Sequence, residues 1–124
     1  KNIKILSNGS PTRTFCYVAD AISGYLLCLL HGKYDQFNIG TEEPEISVKD
    51  VAQIYVDSAK DIFGFDLEVD FKTSDDQAYL TDNPNRRCPD LSKAKSILGY
   101  KPSIGIEDGV RRYLKFIEIE NIKI

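Results

Sequence analysis

Residues 13–30 change from a strand pattern to a helix pattern within a few positions, and this switch favours a mixed α/β fold. Phe15 and Tyr17 fall on one side of the predicted strand, as a period of two requires. Asp20 is the predicted N-cap of the helix, because its carboxylate can accept hydrogen bonds from free N–H groups of the first turn. Apolar residues recur on a wide face from 21 to 30, so we expect this helix to be buried on more than one side.

The rest of the chain alternates in the same way between strand and helix signals. The strongest helix pattern covers residues 47–64, where Ser47 and Asp50 form a capping-box arrangement and Gly64 ends the pattern. The other predicted elements are strands at 36–40 and 66–72, a polar loop at 73–89, and helices at 90–98, with Asp90 as the expected N-cap, and at 106–119. These patterns predict an α/β fold in which a small sheet carries three or four helices.

The composition is that of one ordinary globular domain, and it excludes several classes of partner. The 124 residues have a net charge of −3, with 42% hydrophobic and 28% charged residues, which indicates a single unit over 1–124. The acidic balance argues against nucleic acid, and no apolar run reaches the roughly 18–20 residues that span a membrane. Three widely spaced cysteines and the lack of a signal-peptide pattern fit a cytoplasmic protein. Because methionine is absent, even at position 1, we expect a fragment of a longer chain.

Few residues could carry chemistry. The sequence has no GxGxxG after a strand, no P-loop, no GxSxG and no metal-ligand cluster, and the single histidine, His31, follows the apolar helix. Arg13 begins the predicted strand, while Arg86 and Arg87 lie in the long loop. The planar guanidinium matches two phosphate oxygens, so arginines that converge from separate elements would suit a diphosphate. Surface charges that balance an acidic protein are an equal alternative.

Four motifs, in order and at family-like distances, resemble the C-terminal part of extended short-chain dehydrogenase/reductases that act on nucleotide sugars. Within this NAD-dependent epimerase/dehydratase family the chain is most similar to the UDP-glucuronate decarboxylases, then to dTDP-glucose 4,6-dehydratases and UDP-sugar 4-epimerases. The motifs are NGS with RTFCYVAD (8–20), FNIG (37–40), RRCPDLSKAK (86–95), and LGYKP with EDG (98–109). The sequence departs from the pattern at Ala19, where an acidic residue is common, and at Asn85, where the decarboxylases often have arginine.

The resemblance implies a set of substrate-binding residues. Arg13 would contact the diphosphate of a UDP- or dTDP-sugar. Arg86, with Arg87 as its neighbour in the alternative register, would grip the same diphosphate or the ribose. Asn38 would lie near the nucleotide-sugar pocket.

The resemblance also shows what these residues lack. The family's N-terminal Rossmann half, which binds NAD, and its catalytic Tyr-x-x-x-Lys pair have no counterpart here, so no catalytic residue is predicted. We therefore expect the nucleotide-sugar-binding lobe of an NAD-dependent lyase or epimerase, inactive alone, whose complete parent is a homodimer. A non-enzymatic module that binds nucleotide sugars or pairs with another chain is the first alternative. A purely structural domain without ligand is the second.

Overall fold

Four helices and five short strands make up the described part of the chain, which is residues 2–64, 66–72 and 84–120 of a computed structural model. In chain order they are β1 (Asn2–Ile5), β2 (Thr12–Arg13), α1 (Val18–Leu30), β3 (Ile46–Ser47), α2 (Val48–Phe63), β4 (Glu68–Phe71), β5 (Arg86–Arg87), α3 (Ser92–Leu98) and α4 (Ile106–Ile119). The predicted α/β class with a small sheet and four helices is confirmed, although the strands form two sheets. None of the described helices is long and apolar enough to cross a membrane.

The two sheets are small and have different pairings. β1 and β4 are parallel, with Ile3 opposite Val69. In the other sheet β2 is central, antiparallel to β3 and parallel to β5. Parallel neighbours need a long crossover connection, and α2 lies on the connections to both β4 and β5. The second sheet thus brings segments near 12, 46 and 86 side by side.

The helix α2 forms as the sequence predicts. Ser47 is its N-cap, and the hydroxyl oxygen of Ser47 accepts a hydrogen bond from the backbone N–H of Asp50 at 3.1 Å. Gly64 ends the helix in the left-handed conformation, with φ of 72°, which glycine adopts without strain. The apolar side of α2 packs on α4, where Ala59, Val110 and Leu114 form a buried cluster.

A second buried cluster lies beneath α1. It consists of Leu91, Ala94 and Tyr100, with Phe37 and Ile39 among the half-buried residues packed against it. The Tyr100 hydroxyl donates a hydrogen bond to the carbonyl of Gly40 at 2.8 Å, so it satisfies its own polar group inside the cluster. This cluster fixes α3 and the segment before β3 against one side of α1.

The prediction that Asp20 caps α1 is wrong. The helix begins three residues earlier than expected, at Val18, with Tyr17 as an N-cap that makes no side-chain capping bond. Asp20 is buried, and its carboxylate accepts hydrogen bonds from the backbone N–H groups of Ser103 (3.0 Å) and Ile104 (2.8 Å). A carboxylate can satisfy the free N–H groups of another segment as well as those of its own helix. The preceding strand is correspondingly short, because only Thr12 and Arg13 have ladder partners.

The predicted strand at 36–40 does not form, and α1 is not buried on more than one side. No described residue pairs with 36–40 in a ladder, since neither sheet includes this segment. A strand needs a neighbour for its backbone groups, and the described residues place no strand beside this segment. On α1 only Asp20 and Gly24 are buried. The apolar residues at the centre of its wide face, such as Leu29 at 76% exposure, face outward.

The region before α3 differs in detail from the prediction. Leu91, rather than Asp90, occupies the N-cap position of α3. Asp90 still supports the helix start, because its carboxylate accepts from the backbone N–H of Ser92 at 2.8 Å. Of the predicted loop at 73–89, residues 73–83 lie outside the described part, and β5 occupies part of the remainder.

Gly24→Ala tests the contact between α1 and the second cluster. An added Cβ would lie 2.9 Å from Cε2 of Tyr100 and closer still to the side chain of Ile39. We expect the free energy of unfolding to fall by about 1–3 kcal/mol, despite the better helix propensity of alanine, because the cluster must shift. Urea denaturation measures this. Ser23→Ala, on the exposed side of the same helix, should change stability by less than about 0.5 kcal/mol, and an equal loss in both variants would contradict the packing argument.

Candidate functional site

The three arginines singled out in the sequence meet in the second sheet. Thr12 lies opposite Arg86 and Arg13 lies opposite Arg87 in the parallel pairing of β2 with β5. Residues paired across a ladder point to the same face of a sheet, and successive residues point to opposite faces. Arg86 and Arg87 are therefore on different faces, and only Arg87 shares a face with Arg13.

The face that carries Arg86 is held by a carboxylate. The Thr12 hydroxyl donates to Oε1 of Glu45 at 2.5 Å. Arg86 donates through Nε to both carboxylate oxygens at 3.0 Å, and its Nη2 lies 2.8 Å from Oε2. The hydrogen bond from Thr12, followed by that from Arg86, lowers the pKa of Glu45 below its ordinary value of 4.5. Glu45 thus bridges β2 and β5 from the residue that precedes β3.

The opposite face carries the two cationic side chains of Arg13 and Arg87. Neighbouring strands lie about 4.8 Å apart, so the backbones of Arg13 and Arg87 are close. Arg13 is half-buried, and its Nη1 donates to the carbonyl of Thr12 at 2.7 Å. Arg87 is exposed, and within the described ranges no carboxylate forms an ion pair with it. Two guanidinium groups on one face can each donate a pair of hydrogen bonds to an anion.

Two clefts open next to this face. Arg13 lines a cleft of about 470 Å³ together with Lys4 of β1 and the first turns of α2. Phe15 lines this cleft as well as a second one of about 280 Å³, whose wall includes Tyr17, Tyr55 and Tyr113. The first cleft combines two cations with apolar walls, whereas the second is aromatic. Phe15 is a wall of both clefts, so the aromatic cleft adjoins the one that Arg13 lines.

The aromatic cleft escaped the sequence analysis. The period of two had put Phe15 and Tyr17 on one side of a strand, but Tyr55 and Tyr113 come from α2 and α4. Burial, and to a smaller extent the nearby Tyr113, raises the pKa of Tyr55 above its ordinary value. Tyr55 therefore remains a neutral hydroxyl group at physiological pH.

Asn38, the fourth predicted site residue, lies at a different place. Its side-chain amide donates to the carbonyl of Asp90 at 3.0 Å, just before α3. The structure thus brings Arg13, Arg86 and Arg87 into one sheet and joins Asn38 to the start of α3.

Glu42 and Glu45 together hold β5 and the chain that follows it. Glu42 accepts a hydrogen bond from the backbone N–H of Leu91 at 2.8 Å and pairs with Lys95. The contact with Lys95, then that with Leu91, lowers the pKa of Glu42. Glu42 therefore holds the chain after β5, as Glu45 holds β5 itself. Sequence spacing gives no signal for these pairs, because they join residues more than 40 positions apart.

The described residues offer no alternative centre for a metal or for NAD. They contain no group of three or more His, Cys, Asp or Glu side chains that could hold a metal ion. The hydroxyl of the buried Tyr100 lies 3.7 Å from the thiol of Cys16. Burial is the main reason that the pKa of Tyr100 is raised. Neither the turn before α1 nor the turn before α2 has the glycine-rich sequence that brings a backbone close to a dinucleotide.

Comparison with known proteins identifies the family. The family model described as GDP-mannose 4,6 dehydratase matches residues 1–113. The chain belongs to this family. The resemblance to the C-terminal part of an epimerase/dehydratase enzyme is thereby confirmed.

The curated relatives include UDP-glucuronic acid decarboxylases, the branch that the sequence motifs resemble most. UDP-glucuronic acid decarboxylase 6 of Arabidopsis thaliana is 29% identical over 102 residues, which are 82% of this chain and 27% of that protein. UDP-glucuronic acid decarboxylase 1 of Xenopus tropicalis is 28% identical over 97% of this chain and 26% of that protein. The chain thus spans about a quarter of the length of these relatives.

Solved structures confirm the fold. A variant of the UDP-glucuronic acid 4-epimerase of Bacillus cereus, in complex with UDP-4-deoxy-4-fluoro-glucuronic acid and NAD, is 26% identical with a TM-score of 0.75 over 97% of this chain and 36% of that chain. The UDP-glucose 4-epimerase of Thermotoga maritima, with UDP-glucose, is 25% identical with a TM-score of 0.77 over 98% and 36%. The NAD in the Bacillus cereus complex confirms the prediction that the family uses this cofactor.

Glu45→Gln tests the bridge between β2 and β5. The folded-state pKa of Glu45 lies below its ordinary value, so its contribution to stability is complete above the unfolded-state pKa and disappears as the pH falls through the folded-state pKa. We expect Glu45→Gln to lower the melting temperature by a few degrees at neutral pH, and this difference from the native chain should shrink below about pH 4.5.

Thermal denaturation from pH 3 to 8 measures this difference. Glu118→Gln, an exposed carboxylate of the last turn of α4, is the matched control and should follow the native chain throughout. A difference between native and Glu45→Gln chains that stays constant down to pH 3 would show that the carboxylate charge does not hold the bridge.

Proposed function

We propose that this chain is the nucleotide-sugar-binding part of an NAD-dependent sugar-nucleotide decarboxylase, dehydratase or epimerase, and that Arg13 and Arg87 hold the diphosphate of its substrate. The observation that carries the proposal is the ladder pair that puts these two guanidinium groups on one face. The relatives that support it act on UDP-glucuronic acid by name, so a UDP-sugar is the proposed substrate class.

The chemistry of arginine fits this role. Each guanidinium can donate two parallel hydrogen bonds to phosphate oxygens, and it keeps its charge at any physiological pH. Two such groups from adjacent strands can each take one phosphate of a diphosphate.

Arg86 has a different part in the proposal. Its guanidinium is engaged by Glu45, on the other face from Arg13. We assign it to positioning: Arg86 and Glu45 maintain the register of β2 and β5, and this register aligns Arg13 with Arg87. Of the two arginines of β5, Arg87 is therefore the one proposed to contact the diphosphate. Asn38 would contribute indirectly, because its amide fixes the turn before α3.

The reaction itself would take place with groups outside this chain. A hydride acceptor for oxidation of the sugar ring would come from NAD held outside these residues. The residues of this chain would bind the diphosphate and so orient the sugar toward that cofactor, which lowers the barrier by positioning. In this proposal the chain alone has no activity, and the complete parent acts as a homodimer in the cytoplasm.

Alanine variants of the arginines test the proposal. Arg13→Ala and Arg87→Ala should each weaken UDP binding by about tenfold, equivalent to about 1.4 kcal/mol. Arg86→Ala should weaken it less and should lower the melting temperature, because it leaves the Glu45 carboxylate without its guanidinium partner. Titration with UDP, followed by NMR, detects affinities in the millimolar range.

Two controls make this test specific. Uridine, which lacks phosphate, should bind the native chain and the Arg87→Ala variant equally weakly. Arg111→Ala removes an exposed arginine of α4 that pairs with Asp61 and should leave UDP binding unchanged. The diphosphate proposal is wrong if Arg87→Ala and Arg111→Ala bind UDP with the same affinity as the native chain.

A further inference from the structure

The hydroxyl of Tyr100 is a buried polar group inside the second cluster. Tyr100 is 2% exposed, and the other members of the cluster are apolar. Its hydroxyl donates to the carbonyl of Gly40 at 2.8 Å, and the Cys16 thiol lies 3.7 Å from the same oxygen. Packing of the cluster requires only the aromatic ring. The hydroxyl therefore contributes something other than volume, and its two contacts show which parts of the chain it joins.

The contact with Cys16 reaches the chain that leaves β2. Cys16 is half-buried and lies three residues after Arg13, just before α1 begins at Val18. The helix is held by the same tyrosine, because a Cβ added at Gly24 of α1 would lie 2.9 Å from Cε2 of the Tyr100 ring. The hydroxyl and the ring thus hold the connection from β2 into α1 together.

The contact with Gly40 reaches the chain that leaves β5. Gly40 packs on Pro89, two residues after Arg87, so closely that an added Cβ would lie 3.3 Å from Cγ of Pro89. Two hydrogen bonds join the same two stretches: Asn38 Nδ2 donates to the carbonyl of Asp90 at 3.0 Å, and Cys88 Sγ donates to the carbonyl of Glu42 at 3.6 Å. The chain after Arg87 is therefore attached to the segment that the Tyr100 hydroxyl holds.

Together these contacts connect β2 and β5 at a second place. Glu45 joins the two strands at the residues that precede the site arginines. Tyr100 joins the chains that follow them, and these leave the sheet at the same end because β2 and β5 are parallel. We propose that Tyr100 is a positioning residue whose hydroxyl sets the spacing between Arg13 and Arg87, an inference that rests on the proposed function.

A change in this spacing should affect UDP more than UMP. A diphosphate that places one phosphate on each guanidinium depends on the distance between the two groups. A single phosphate needs only one of them. Groups that are already aligned lose less conformational entropy when the ligand binds. Loss of the alignment should therefore reduce the preference of the chain for UDP over UMP.

Tyr100→Phe tests the role of the hydroxyl, because it retains the ring. We expect the variant to weaken UDP binding by about fivefold, which corresponds to the loss of one hydrogen bond, and UMP binding by less than about twofold. Titrations followed by NMR measure both affinities. Cys16→Ala removes the second contact and should change the ratio of the two affinities in the same direction, so it gives an answer even if Tyr100→Phe does not fold.

Two controls remove a hydroxyl elsewhere. Tyr34→Phe is the same substitution at a fully exposed tyrosine, and it should change neither affinity. Ser58→Ala removes a buried hydroxyl of α2. It should leave the ratio of UDP to UMP affinity unchanged, whatever its effect on the melting temperature.

A double-mutant cycle separates positioning from a general role in the fold. In Arg87→Ala only one of the two arginines remains, so adding Tyr100→Phe should cause no further loss of UDP affinity. An equal loss with and without Arg87 would show that the hydroxyl supports the fold and does not align the arginines. This result would overturn the inference.

The remaining outcomes distinguish the inference from the proposal beneath it. Unchanged UDP affinity in folded Tyr100→Phe, or an equal loss for UDP and UMP, would refute the positioning role while the effect of Arg87→Ala stands. If Arg87→Ala itself binds UDP as the native chain does, the diphosphate proposal fails and the positioning role fails with it.

Discussion

The carboxylate of Glu45 is the contact on which the candidate site depends. It accepts hydrogen bonds from Thr12 of β2 and from Arg86 of β5, two strands that are more than 70 positions apart in the chain. Strands of two residues have too few ladder bonds to fix their own register securely. The side-chain bridge through Glu45 fixes the register of these two strands. With Thr12 and Arg86 held on one face, the alternation of the strands leaves Arg13 and Arg87 together on the other.

The two faces of this sheet therefore differ in the charged groups that they carry. On the first, an acidic and a basic group neutralise each other at the surface. On the second, two cations share a face next to clefts with apolar and aromatic walls. The helices also differ from one another. The apolar sides of α2 and α4 are buried against each other, whereas the apolar side of α1 is exposed.

The features that sequence could predict are those encoded locally. The bounds of α2 and α4 follow from caps, glycines and helical spacing, and the arginines were recognised from the chemistry of the guanidinium group. The role of Asp20 could not be predicted, because its hydrogen-bond partners at 103–104 are more than 80 positions away. The predicted strand at 36–40 has the correct pattern, but the part of the chain that the structure describes offers it no neighbouring strand. Similarly, the choice between Arg86 and Arg87 depends on a register with β2 that spacing alone does not determine.

NMR observation of the arginine Nε–H groups during titration with UDP tests the central claim most directly, because each guanidinium reports its own contacts. The account predicts that the signals of Arg13 and Arg87 shift with a common affinity. The Arg86 signal should stay close to its starting position, since Glu45 already holds its Nε–H. Shifts confined to Arg86, with Arg13 and Arg87 unchanged, would contradict the assignment of the diphosphate to the face that they share.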